Sequence, residues 1–116
     1  MIKIYHNPRC RKSREALALL ESRASEFETI LYLQSPPTPH ELKGILNRLG
    51  LKAHEIVRTQ EGLWKDQFKG KDWSEAELID LMCEHPKLIE RPLIFSDTQG
   101  VVGRPLENLE NFLSQL

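Results

Sequence analysis

Ile2-Lys3-Ile4-Tyr5-His6-Asn7-Pro8-Arg9-Cys10-Arg11-Lys12-Ser13-Arg14-Glu15-Ala16-Leu17-Ala18-Leu19-Leu20 changes its period part-way along. Ile2 to Tyr5 is short, β-branched and aromatic, the composition of a buried strand, and Asn7-Pro8 punctuates its end. From Ser13 onward the apolar positions Ala16, Leu17 and Leu20 recur at helical spacing. Cys10 is therefore expected at a helix N-terminus, where unpaired backbone N–H groups and the positive end of the helix dipole favour thiolate over thiol. Arg9, Arg11 and Arg14, with Lys12 as a fourth cation, are expected to push the same way. The stretch reads as a reactive thiolate that meets an anionic substrate.

Glu21-Ser22-Arg23-Ala24-Ser25 is polar and reads as the exit loop from that helix, and residues 27–33 read as a second strand. Strand, helix and strand of these lengths predict a right-handed βαβ unit with a parallel pair. Pro36 and Pro37 stop the second strand. Thr38-Pro39-His40-Glu41 then carries the marks of a helix start, with threonine at the N-cap, proline at N1 and glutamate at N3. Leu42, Ile45, Leu46 and Leu49 line one face of that helix and Gly50 is placed to end it. A shorter helix and a turn follow over residues 51–60, and residues 61–68 are more helical than extended. Ser74-Glu75-Ala76-Glu77 opens a further helix that His85-Pro86 terminates.

The last quarter changes character. Leu93-Ile94-Phe95 and Val101-Val102, separated by a Ser96 to Gly100 turn, form a β-hairpin signature, and Leu106, Leu109, Phe112 and Leu113 mark a closing amphipathic helix over residues 105–116. The order βα-β-(helices)-ββα predicts an α/β fold of thioredoxin type. It has a mixed four-stranded sheet and a helical insertion, about residues 38–90, after the second strand, within one domain spanning residues 1–116.

Composition bounds the partners. Sixteen basic and 17 acidic residues give a net charge of -1 over 116 residues, which supplies no global attraction to nucleic acid or anionic membrane, so any anion site must be local. No run approaches the roughly 18 apolar residues of a membrane span, and the N-terminus moves directly into a strand pattern; a cytoplasmic protein is expected. Two cysteines, Cys10 and Cys83, make neither a disulfide framework nor a zinc site. No metal and no bound cofactor are expected.

A lone cysteine is usually a small buried hydrophobe, but the basic, helix-starting context of Cys10 reverses that expectation. Ser13 stands where a second cysteine would close a local Cys-x-x-Cys disulfide, so an outside thiol must resolve any adduct of Cys10. Ser13 itself can bond the sulfur or cap the helix, and capping alone would explain it. Cys83, in a helix beside Met82 and Ile79, reads as a packed structural residue, which leaves glutathione as the better resolving thiol. His6 is close enough to orient or deprotonate the site, or simply to bond the loop. Arg58, Arg91 and Arg104 are each unremarkable as surface charges. Gathered by the fold at one thiolate, with Pro92 opening a strand beside it, they would bind a tetrahedral oxyanion and stabilise charge during thiolate attack.

With those residues in view, the whole chain resembles the glutaredoxin-coupled arsenate reductase family, of the arsenate reductase/Spx-type superfamily. The resemblance rests on His6-Asn7-Pro8-x-Cys10-x-x-Ser13-Arg14, Leu31-Tyr32-Leu33 with Ser35-Pro36-Pro37, Val57-Arg58, His85-Pro86 leading to Glu90-Arg91-Pro92-Leu93-Ile94, and Gly103-Arg104-Pro105. It implies Cys10 as nucleophile, Arg58, Arg91 and Arg104 as oxyanion-binding residues, His6, Ser13 and Arg14 in support, and a cis peptide before Pro92. It further implies that Cys10 attacks arsenate, that glutathione displaces the adduct and that glutaredoxin reduces the mixed species to release arsenite. Two other functions fit the fold: an Spx-like regulator that binds RNA polymerase, which the Ser13 position disfavours, and a glutathione-dependent thiol transferase.

Overall fold

The computed structural model describes residues 1–23 and 26–116. In chain order the elements are β1 (Ile2–Tyr5), α1 (Arg11–Arg23), β2 (Phe27–Ile30), α2 (Pro39–Leu49), α3 (Ala53–Ile56), a π-helical turn at Trp64–Phe68, α4 (Glu75–Glu84), a 3-10 turn at Pro86–Leu88, β3 (Leu93–Phe95), β4 (Gly100–Val102) and α5 (Leu106–Ser114). The sheet order is β2-β1-β3-β4. β1 runs parallel to β2, with Ile2 opposite Phe27 and Tyr5 opposite Ile30, and antiparallel to β3, with Tyr5 opposite Leu93. β3 and β4 form the hairpin, Leu93 opposite Val102. This is the expected mixed four-stranded, thioredoxin-like sheet with its helices inserted between β2 and β3.

Alternation along the two central strands builds a core on each face. Ile4 and Ile94 point to one side, where they pack with Ala16 and Leu20 of α1 and Leu109 and Phe112 of α5. Tyr5, Leu93 and Phe95 point to the other, against Leu42, Ile45 and Leu46 of α2, Leu78 and Met82 of α4, and Tyr32. The inserted helices thus cover a face that would otherwise lie open. Their ends are locally encoded. Thr38 and Ser74 each close a capping box with Glu41 and Glu77, a device that contributes about 1 kcal/mol, and Gly50 ends α2 at φ 70°, a left-handed conformation that glycine adopts without a Cβ clash.

Two expected boundaries move. Helix α1 continues through Glu21, Ser22 and Arg23, where the sequence read as a loop, with the Ser22 hydroxyl bonding the Leu19 carbonyl; the remainder of that loop, Ala24 and Ser25, lies outside the described residues. Strand β2 ends at Ile30 rather than Leu33. The chain turns there, with the Tyr32 N–H bonded to the Ile30 carbonyl and the Gln34 and Ser35 N–H groups to that of Leu31. Leu31 and Leu33 are consequently 36% and 40% exposed.

Strand direction has one consequence for the site. Because β1, β2 and β4 run one way and β3 the other, the loop after β1, the turn after β2, the entry to β3 and the exit from β4 all open at the same end of the sheet.

Candidate active site

Cys10 immediately precedes α1, and its carbonyl accepts the Arg14 N–H at 3.0 Å in the first helical turn. The loop before it is folded by its own groups. The Cys10 N–H donates to the Asn7 carbonyl at 3.0 Å, the Arg9 N–H to Asn7 Oδ1 at 3.0 Å, and the Arg14 guanidinium to the Pro8 carbonyl at 3.0 Å. The sulfur is mostly enclosed, 9% of the residue remaining exposed. Ser13 is fully buried, and its hydroxyl faces away from any bond to the sulfur: Oγ accepts the Asn7 N–H at 3.0 Å and lies 2.6 Å from His6 Nδ1. Burial lowers the His6 pKa, only partly offset by Ser13, so the ring is neutral at neutral pH and can accept the Ser13 proton. His6 and Ser13 therefore hold the cysteine loop onto the start of α1.

The partners of the sulfur come from far along the chain. Arg104 Nη2 donates to Cys10 Sγ at 3.2 Å, and its Nε donates to the Arg91 carbonyl at 2.7 Å. A bridge between Val57 and Ile89 brings Arg58 beside Glu90, with the Arg58 N–H bonded to the Leu88 carbonyl and the Glu90 N–H to that of Ile56. Glu90 Oε1 then accepts from Arg58 Nη1 at 2.7 Å and from the Arg91 N–H at 2.9 Å, and lies 3.7 Å from Arg104 Nε. Glu61 Oε1 accepts from Arg58 Nε at 3.2 Å and lies 3.6 Å from Arg91 Nη1. Three guanidiniums and two carboxylates leave one positive charge, which a Cys10 thiolate would balance. The peptides before Pro92 and Pro105 are both cis. Gly103 packs so closely on Pro92 that a Cβ there would lie 2.9 Å from its Cγ, which fixes the approach of β4 and Arg104 to the cysteine.

Burial alone would raise the Cys10 pKa. The backbone N–H of Ser13, the Arg91 guanidinium and the backbone N–H of Lys12 outweigh it and hold the thiol below its ordinary value. Arg9, Arg11, Lys12 and Arg14 are exposed and none of them donates a side-chain bond to the sulfur; Arg11 pairs instead with Glu15 at 3.1 Å. The N–H groups at the start of α1 face the thiol, and the cations at the sulfur come from the entry to β3 and the exit from β4 rather than from the loop. Cys83 on α4 is the opposite case: burial, followed by Asp80, pushes its thiol up to about 11. Both cysteines are free thiols. The rate of iodoacetamide capture at Cys10, followed by peptide mass, is accordingly expected to rise to half its maximum below the free-thiol pKa of about 8.5. Because the folded value lies under the unfolded one, the thiolate stabilises the fold fully above the unfolded value, and that contribution is lost as pH falls through the folded value. A midpoint at or above the free-thiol value would contradict this electrostatic account.

The ArsC family model matches residues 5–112. The chain belongs to the ArsC family. The arsenate reductase of Neisseria meningitidis serogroup A is 44% identical over 114 residues, covering 97% of each chain, and that of Haemophilus influenzae is 40% identical over 112 residues, covering 95% of this chain and 97% of the relative. The solved structure of the Vibrio cholerae arsenate reductase superposes with a TM-score of 0.87 at 43% identity, covering 94% of this chain and 95% of that one.

Within this ArsC-family site, Glu61 and Glu90 are the residues that sequence reasoning passes over. Glu90 stands next to Arg91 in the quoted motif, but two carboxylates among 17 acidic residues carry no local signature; only the fold brings them to the arginines. Among the described residues no group of three or more His, Cys, Asp or Glu side chains could hold a metal ion, and no described helix is long and apolar enough to cross a membrane.

Proposed function

We propose that this ArsC-family protein is a thiol-dependent arsenate reductase, in which the Cys10 thiolate attacks the arsenic of arsenate bound by Arg58, Arg91 and Arg104. The observation that carries the reading is the contact of Arg104 Nη2 with Cys10 Sγ inside a guanidinium cluster tied together by Glu61 and Glu90. Guanidiniums fixed in advance bind a tetrahedral oxyanion and stabilise the charge that shifts onto its oxygens as sulfur approaches, without reorganising at the moment of reaction. Attack forms the S–As bond and breaks one As–O bond, the leaving oxygen departing as water after taking up protons.

Two electrons are needed to take arsenic from the pentavalent to the trivalent state. A glutathione thiol joins the arsenic beside Cys10 with loss of a second water. A glutaredoxin thiol then attacks the glutathione sulfur; the two sulfurs finish as a mixed disulfide and leave their electron pair on arsenic, and water releases arsenite and returns Cys10 to the thiol. Ser13 supports this division of labour because it provides no second local thiol, and Cys83, protonated on α4, is a poor attacking group. The test is arsenate-dependent NADPH oxidation with glutathione, glutathione reductase and glutaredoxin supplied. Turnover that needs all three is the expected result; none above the protein-free background would overturn the reading. The same assay with a glutathionylated peptide in place of arsenate separates it from a thiol transferase, and stoichiometric recovery of RNA polymerase from cell extract would favour a regulator.

A further inference from the structure

Two buried side-chain donors have no hydrogen-bond partner among the described residues, the Tyr32 hydroxyl and Arg91 Nε. Unsatisfied buried polar groups are uncommon because each forfeits its hydration without return. Tyr32 is wholly buried, follows β2 at the sheet end that carries the cysteine loop, and is held there on both sides. Its N–H bonds the Ile30 carbonyl at 3.0 Å, and its ring stacks on Tyr5 with centroids 5.5 Å apart and planes 11° from parallel. The Tyr5 ring is braced in turn by an edge contact with Phe95 at 5.4 Å. A phenylalanine would fill this space equally well, so packing does not explain the hydroxyl.

The surroundings of that hydroxyl do. The charged groups it senses are Arg91, Arg58, Cys10 and Glu90, every one a member of the thiolate and guanidinium cluster. Burial pushes its pKa up to about 12, so at neutral pH it keeps its proton and is available as a donor. Arg91 supplies the second unpaired donor from the same cluster, while its Nη1 faces Glu61. Two orphaned donors, one on Arg91 itself and one on a tyrosine whose charged neighbours are all in its cluster, call for an acceptor with several oxygens, and neither is served by the carboxylates already present.

We propose that Tyr32 is a direct substrate-binding residue, whose hydroxyl donates with Arg91 Nε to the oxygens of the oxyanion held against Cys10. The inference rests on the oxyanion reading given above and adds an uncharged donor to its three arginines. An uncharged donor at that position contributes to binding without altering the charge balance on which the thiolate depends.

The probe is inorganic sulfate, an unreactive tetrahedral oxyanion, used to slow iodoacetamide capture of Cys10. Chloride at matched ionic strength serves as the control, well below the melting transition of each protein. Sulfate is expected to protect wild-type Cys10, and Arg91→Ala to abolish the protection. Tyr32→Phe should raise the sulfate concentration for half-protection about tenfold, the effect of losing one hydrogen bond to a charged acceptor. Removing an unpaired buried hydroxyl should at the same time leave the sulfate-free Tm unchanged or higher, whereas a hydroxyl with a structural role would lower it. Half-protection in Tyr32→Phe within twofold of wild type, with Arg91→Ala still impaired, overturns the role of Tyr32 and leaves the oxyanion reading standing. Absence of sulfate protection in the wild type overturns both.

Discussion

Cys10→Ser is expected to reduce arsenate-dependent NADPH oxidation to background, a loss of at least about 10³-fold in kcat/KM, because it removes the group that forms the covalent intermediate. The exchange is nearly isosteric at a residue that is already 9% exposed, so the loop bonds from Asn7, Ser13 and Arg14 remain. What changes is ionisation. Arg104 Nη2 at 3.2 Å, the Arg91 guanidinium and the N–H groups at the start of α1 favour the anionic form of a thiol, but a serine hydroxyl is too weak an acid for the same set of donors. Cys83 cannot take over the role, because burial holds its thiol protonated with a pKa of about 11. Circular dichroism and Tm of the variant should match the wild type, and more than a tenth of the wild-type rate would show that the chemistry does not run through Cys10.

The parts of this molecule that sequence reveals are those whose physics is local. Thr38 with Glu41 and Ser74 with Glu77 announce helix starts within four residues, and the structure contains both capping boxes. Gly50 announces an end for the same reason. The Ile2 to Cys10 stretch reads correctly as strand, turn and helix terminus because the Asn7-Pro8 punctuation and the change of period fall within a few residues of one another. Leu31 to Leu33 misleads because hydrophobic composition does not say where a strand stops; there the chain turns back on the Ile30 carbonyl and leaves two leucines facing solvent. Glu21 to Arg23 misleads in the other direction, since a solvent-facing last turn of helix is as polar as a loop.

The site divides along the same line. Cys10 is legible from its neighbours, but Arg9, Arg11 and Lys12, the cations nearest in sequence, point into solvent. The arginines that reach the cluster carry weaker marks: a proline follows Arg91 and Arg104, nothing local distinguishes Arg58, and the family resemblance is what ties all three to one oxyanion site. Glu61 and Glu90 acquire meaning only once β3, β4 and the segment after α3 meet at one end of the sheet. Tyr32 was in plain view as one residue of an apolar run, and its orphaned hydroxyl is a property of the folded state alone.

Arg91→Ala is expected to lower kcat/KM for arsenate by about 100-fold or more, the scale seen when one preorganised donor to a developing charge is removed. Two separable effects contribute. Arg91 helps to hold the Cys10 thiol below its ordinary value, so its loss should move the midpoint of the iodoacetamide capture profile upward and reduce the thiolate fraction at neutral pH. The rise should be partial, because Arg104 Nη2 stays 3.2 Å from the sulfur and the helix N–H groups are untouched. Raising the pH above both midpoints restores the thiolate in the variant but not the lost guanidinium contacts to substrate. The deficit should therefore shrink with pH and then level off, and the part that persists at high pH measures the direct role of Arg91 in holding the oxyanion. Arg91→Lys retains a positive charge but not the planar fork that satisfies two oxygens at once, so it should recover most of the midpoint and little of the high-pH rate. A deficit that vanishes completely at high pH would confine Arg91 to tuning the thiol. An unchanged midpoint with a full loss of rate would confine it to binding the anion.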